Sequence, residues 1–163
     1  MIPMHIENLI EEVLKGYSLQ LEGIHGIPHW RRVRDNGLFL AVRTGADPQV
    51  VELFSVYHDC RRLNDGHDPG HGARGAQLAV EMRGEWFEIE DEPFEHLLIA
   101  CRAHTAGLTE AHPTVQTCWD ADRLDLGRVG VMPRAERLCT EAAKDPETIK
   151  WALARSWSGW DQG

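Results

Sequence analysis

Long apolar runs are missing from this sequence. Its richest hydrophobic stretches are soon broken by charge, so none approaches the roughly 20 uninterrupted apolar residues that a membrane-spanning helix needs. Paired cysteines are missing too: Cys60, Cys101, Cys118 and Cys139 lie far apart, with no C-x-x-C spacing to suggest a zinc knuckle or a redox couple. They read as small apolar filling. Positive charge is short, and the net charge of -9 argues against broad attraction to nucleic acid or an anionic membrane, so neither is expected as a partner. Met1 to Glu12 carries acidic residues where a secretory signal would carry lysine or arginine and then an apolar block, which predicts a cytoplasmic protein. Internal repeats, low-complexity tracts and convincing strand patterns are also lacking.

What is present is helix punctuation. The 163 residues suffice for one domain, expected to span 1–163. Ile6, Leu9, Ile10, Val13 and Leu14 recur at helical spacing and predict a first helix over Ile6 to Leu21. After the Gly23–Pro28 interruption a second helix is expected from about His29 to Thr44. Asp47-Pro48 is a cap followed by proline at the first helical position. It opens a helix that is apolar on nearly every side, through Val50, Val51, Leu53, Phe54, Val56 and Tyr57, and should be the buried centre. Cys60 to Gly72 reads as a loop, with Asp68 capping a fourth helix at Pro69. Glu92-Pro93, His112-Pro113 and Asp145-Pro146 announce three more, the last carrying Trp151 and Trp157. Short capped helices in succession predict an all-α, compact helical bundle, with C-terminal helices over 134–160 packing on a core over 26–130.

Nine histidines in so acidic a chain invite a search for a site. His58–Asp59 closes the most apolar helix, where an unpaired imidazole or carboxylate would cost several kcal/mol, so partners are required. A metal is one partner; an ion pair with Arg61 or Arg62 is the other. His29 shares a helical face with Val33, Gly37 and Leu40, and heads a buried stripe. Asp122 follows Val115, Cys118 and Trp119 on one face, whereas Asp120, about 200° away, should face solvent. Two imidazoles and two carboxylates aimed inward make a plausible shell for a divalent ion. His104 lies on the stripe Leu97, Ala100, Cys101, and His71 in the first turn of the fourth helix. His5, His25, His96 and His112 read as surface or turn residues, and Arg123 as the partner of Asp125.

The order His29-x-x-Arg32-Val33, His58–Asp59 and Ala121-Asp122-Arg123-Leu124-Asp125 resembles the HD superfamily of metal-dependent phosphohydrolases, from about Gly26 to Gly130. The resemblance implies an all-helical fold with His29, His58, Asp59 and Asp122 as metal ligands. Two-metal members place two further histidines between the His-Asp pair and the last aspartate, with the pair's aspartate bridging; His71 and His104 match that order. One or two divalent ions are then expected, with manganese, iron, cobalt, nickel, zinc and magnesium all open.

On this reading the reaction is hydrolysis of a small phosphoester such as a nucleotide or sugar phosphate. Asp59 would hold metal and orient the nucleophile, while Arg61 and Arg62 would meet phosphate oxygens through their planar forks. An HD-type di-iron oxygenase acting on a polyol or phosphonate would use the same six residues. A regulatory module without catalysis is disfavoured, because no expected ligand is replaced. Trp151, Trp157 and Trp160 are expected to cap their own core, with a homodimer contact as the alternative.

Overall fold

The computed structural model describes residues 5–157. Among these, the helices are α1 (Ile6–Leu14), α2 (Ile27–Thr44), α3 (Pro48–Tyr57), α4 (His71–Met82), α5 (Asp91–Ala103), α6 (Pro113–Arg123), α7 (Glu141–Lys144) and α8 (Pro146–Trp157). Two 3₁₀ turns, Leu126–Val129 and Ala135–Arg137, join α6 to α7. No strand forms among the described residues beyond a lone bridge between Arg83 and Phe87. Among the described residues no helix is long and apolar enough to cross a membrane.

The all-α expectation holds, and its boundaries need three corrections. α1 stops at Leu14, not Leu21, because the chain turns tightly at Lys15 and Gly16, where the amides fall back on Glu12 and Val13 carbonyls. α2 starts two residues early, with Gly26 as its cap. α4 begins at His71 rather than Pro69, and Asp68 does not cap it. That carboxylate instead accepts from the Leu63 amide at 2.8 Å and from Arg74 at 2.6 Å, since a guanidinium offers a charge-assisted bond that a terminal amide cannot match.

α3 is the axis of the fold. Val50, Val51, Leu53, Phe54, Val56 and Tyr57 are all fully buried, because α1, α2, α4, α5 and α6 pack around the helix. Each such side chain contributes about 1.5–3 kcal/mol, and Phe54→Ala would cost about 3–5 kcal/mol once the cavity is included. Asp47 caps α3 as expected, accepting from the Gln49 amide at 2.9 Å. A smaller cluster of Leu40, Leu124, Leu138, Ala143 and Ala152 fastens the C-terminal helices to α2. Trp151 belongs to it, stacking on Phe39 at 4.6 Å between ring centroids. Trp157 is half exposed, and Trp160 lies outside the described residues.

Two glycines decide how closely α4 approaches its neighbours. A Cβ at Gly75 would overlap the Tyr57 carbonyl of α3, and one at Gly72 would overlap the Cys101 carbonyl of α5. Backbone-to-backbone contact at both places brings His71 to the ends of α3 and α5.

Candidate metal centre

Three of the site's histidines stand at helix ends and turn Nδ1 back onto a backbone carbonyl three or four residues earlier. His58 follows the last residue of α3 and donates Nδ1–H to the Phe54 carbonyl at 2.9 Å. His104 follows α5 and donates to the Cys101 carbonyl at 2.7 Å. His71, first in α4, donates Nδ1–H to the Asp68 carbonyl. His29, in the first turn of α2, donates to Asp125 Oδ2 at 2.6 Å. All four acceptors are carbonyl or carboxylate oxygens, so every Nδ1 carries the proton. Every Nε2 is turned inward.

The result is a cage. His29 Nε2 and His58 Nε2 stand 3.0 Å apart, and His71 Nε2 and His104 Nε2 stand 2.9 Å apart. Asp59 joins the two pairs: Oδ2 lies 3.2 and 3.3 Å from His29 and His58, while Oδ1 lies 3.2 and 3.6 Å from His71 and His104. Asp122 Oδ1 closes the first pair at 3.2 and 3.5 Å. The six side chains thus fall into two trios, His29–His58–Asp122 and Asp59–His71–His104, each with ligand atoms within 4.8 Å of one another and each able to hold a cation. All but Asp122 are buried, and its side chain is 16% exposed, so the cage opens toward solvent on that side.

Charge in the cage is tightly coupled. Burial would push the His58 imidazole down, yet the Asp59 and Asp122 carboxylates overcome it and raise the group to about 10. Burial and Arg128 also oppose a charge on His29, and Asp122, Asp125 and Asp59 outweigh them, leaving it raised. For the carboxylates the balance reverses: burial raises Asp59 and Asp122, but the surrounding imidazoles hold both well below the usual carboxylate range.

The structure brings His29, His58, Asp59, His71, His104 and Asp122 together from five elements. Arg62 stands beside them, with Nε 3.2 Å from Asp59 Oδ1 and Nη1 on the Asn64 and Gly66 carbonyls. Arg61 points elsewhere, donating to the Val13 and Cys60 carbonyls beneath α1.

Two other expectations fail. Asp120 is fully buried: on the far side of α6 from Asp122 it accepts from the Cys139 amide, the Thr140 amide and the Thr140 hydroxyl at 2.7–2.9 Å. Helix phase puts it opposite the cage, and the segment before α7 covers what phase alone left to solvent. Burial, despite these three donors, leaves its carboxyl raised. Arg123 does not pair with Asp125; it donates to the Arg137 carbonyl at 2.9 Å and lies over Trp119. Asp125 is taken by His29 and by Arg32 Nε at 2.7 Å. His25 lies in a turn, one of the two places expected for it, yet it is buried against His29 with Nδ1 2.7 Å from Asp65.

Asp125 is the functional residue that helix periodicity missed, because it lies beyond the end of α6. A signal existed: Arg32 is one turn after His29, so a carboxylate serving one can reach the other.

A helical bundle that closes a His-Asp cage at the end of its central helix is the HD-domain fold, and this chain has it. It is similar to the crystal structure of a predicted HD superfamily hydrolase from an uncultured Thermotogales bacterium. The TM-score is 0.68 and the identity 25%, over 96% of this chain and 88% of that one. No protein-family model matches the sequence, and a search of curated proteins finds no match.

Proposed function

We propose that the protein is a metal-dependent phosphohydrolase acting on a small phosphoester, with His29, His58, Asp59, His71, His104 and Asp122 as ligands for two divalent ions. One observation carries this reading. With every Nδ1–H committed to an acceptor, the Nε2 atoms face each other at 3.0 and 2.9 Å, an arrangement that repels unless a cation, either a metal ion or a proton, lies between them, and the carboxylates of Asp59 and Asp122 beside them favour that positive charge. The donor set of nitrogen and carboxylate oxygen suits manganese, iron, cobalt, nickel or zinc better than calcium or magnesium. A bound divalent ion would lower the pKa of a coordinated water toward about 7 and polarise a phosphoryl oxygen.

The residues do the rest. Asp59, touched by all four imidazoles, holds the two trios at a fixed separation and orients the nucleophile between them. Arg62 holds Asp59 in place through Nε. Asp125 and the three carbonyls fix the imidazole tautomers from behind. The Thermotogales neighbour's name as a predicted hydrolase supports the same class.

The test is metal analysis followed by a phosphate-release screen of nucleotides and sugar phosphates without oxygen. We expect close to two ions per chain, chelator-sensitive phosphate release, and about one ion in His104→Ala. Oxygen consumption coupled to substrate loss, with no phosphate released from any ester, overturns the proposal in favour of a di-iron oxygenase.

A further inference from the structure

A cleft of about 360 Å³ opens at His104, on the side of the bundle where the segment after α6 crosses α5. Among the described residues no aspartate or glutamate lines it, although the chain carries a net charge of -9. Arg123, Arg134 and Arg137 line it instead. Arg123 is the fixed member: Nη1 is held by the Arg137 carbonyl, while Nη2 is enclosed and has no hydrogen-bond partner among the described residues. A buried guanidinium N–H without an acceptor is costly, and its natural complement is an oxyanion. Arg134 and Arg137 are exposed, and Arg134 pairs with the exposed Glu136. Beside them Val131 and Met132, 47% and 62% exposed, form an apolar wall.

We propose that this cleft seats an organic phosphate monoester, its dianion received by Arg123, Arg134 and Arg137 and its organic body lying along Val131 and Met132. The inference rests on the phosphohydrolase reading and assigns substrate recognition to arginines other than Arg61 and Arg62. Arg61 is spent on backbone carbonyls, and Arg62 on Asp59 and its own loop. The cleft reaches the cage at His104 and passes Arg123, the neighbour of the cage's exposed member Asp122.

The experiment is calorimetric titration of manganese-loaded protein with inorganic phosphate and with phenyl phosphate. The variants are Arg134→Gln/Arg137→Gln, chosen because both side chains are exposed, then Arg123→Gln, and Arg31→Gln as an exposed control on α2. Metal content and circular dichroism are read on each. We expect phosphate affinity to fall at least tenfold in the double variant and in Arg123→Gln, with metal content unchanged, and to move less than twofold in Arg31→Gln. Phenyl phosphate should bind several-fold tighter than phosphate to the unsubstituted protein, a margin that Met132→Asn removes. Phosphate binding within twofold of the original in the double variant means that the metals alone hold the anion, and overturns the proposal. Absence of phosphate binding to the unsubstituted protein overturns it as well. If the arginine variants lose phosphate binding while the unsubstituted protein hydrolyses no ester, the cleft stands and the phosphohydrolase reading falls.

Discussion

Among the described residues three groups of side chains bring metal-ligating atoms within 4.8 Å of one another, yet only two of them turn free ring nitrogens toward a common centre. The third, Glu92, His96 and His112, lies at the surface where α5 meets the start of α6. Its imidazoles stack at 3.9 Å, closer than any ring pair in the cage. Behind the rings the two regions differ in sign. In the cage every Nδ1 donates, which frees every Nε2 lone pair. At the surface His112 Nδ1 accepts from the Thr114 amide at 3.1 Å, capping α6, so the proton sits on the outward nitrogen. A cation there has to displace that proton and forfeit the cap. Proximity of donors is therefore a poor guide to a metal site, and the hydrogen bonds on the rings' far side are a good one.

The comparison is broken most directly at its centre. Asp59→Asn removes the carboxylate that both trios share, and should lose both ions and more activity than the roughly 100-fold that outer hydrogen-bond partners command. Glu92→Gln should lose neither. Elemental analysis and phosphate release report both, and ions retained by Asp59→Asn would refute the bridging role.

The response to pH sharpens it. In chelator-treated protein His58 is raised from 6.5 to about 10, so the stability it supplies is full below pH 6.5 and is lost as the pH climbs toward 10. Metal-loaded protein runs oppositely, because protons compete with ions for Nε2 and affinity rises with pH. Melting curves of the chelated form should therefore fall between pH 6.5 and about 9.5 while the loaded form holds steady. A flat chelated profile would mean that the cage is uncharged without metal.

Next in size is Asp125→Asn, which weakens the bond that fixes the His29 tautomer and leaves Arg32 without its carboxylate. Metal affinity should drop about 10–100-fold by competition with a chromogenic chelator. An unchanged affinity would show that burial alone orients His29.

Asp120→Asn should cost about 1–3 kcal/mol in denaturant unfolding with ions retained, since the amide's N–H₂ meets donors where the carboxylate met three hydrogen bonds. The smallest effect belongs to the surface trio. His112→Ala removes an N-cap worth about 1 kcal/mol and no metal, and loss of an ion in that variant would erase the distinction between the two regions.

How much of this could be read in advance follows from the range of each contact. His29, His58 and Asp122 lie on buried faces of helices whose period is written in a few neighbouring residues, and Asp59 closes the most apolar segment. His71 and His104 came from motif order, and the close approach that unites them depends on Gly72 and Gly75, which look ordinary in sequence. Asp120 and Asp125 were misread for one reason: their partners are 19 to 96 positions away. An irregular segment folds over Asp120 and Asp125 itself lies in one, and no periodicity passes through such segments. Arg61 was misjudged in orientation because a loop's direction is set by what it packs beneath, here the backbone of α1.

Asp120 and Asp122 leave α6 on opposite sides, two residues apart, one fastening the strap that carries Arg134 and Arg137 and the other closing the cage. The helix thus serves as a common beam. Inserting or deleting one residue between Trp119 and Arg123 would turn everything beyond it by about 100° and unhook both attachments together. In this stretch only exchanges at constant length leave both attachments standing, whereas the strap from Val131 to Arg137, tied at its ends, can be rewritten for another ligand without touching the cage.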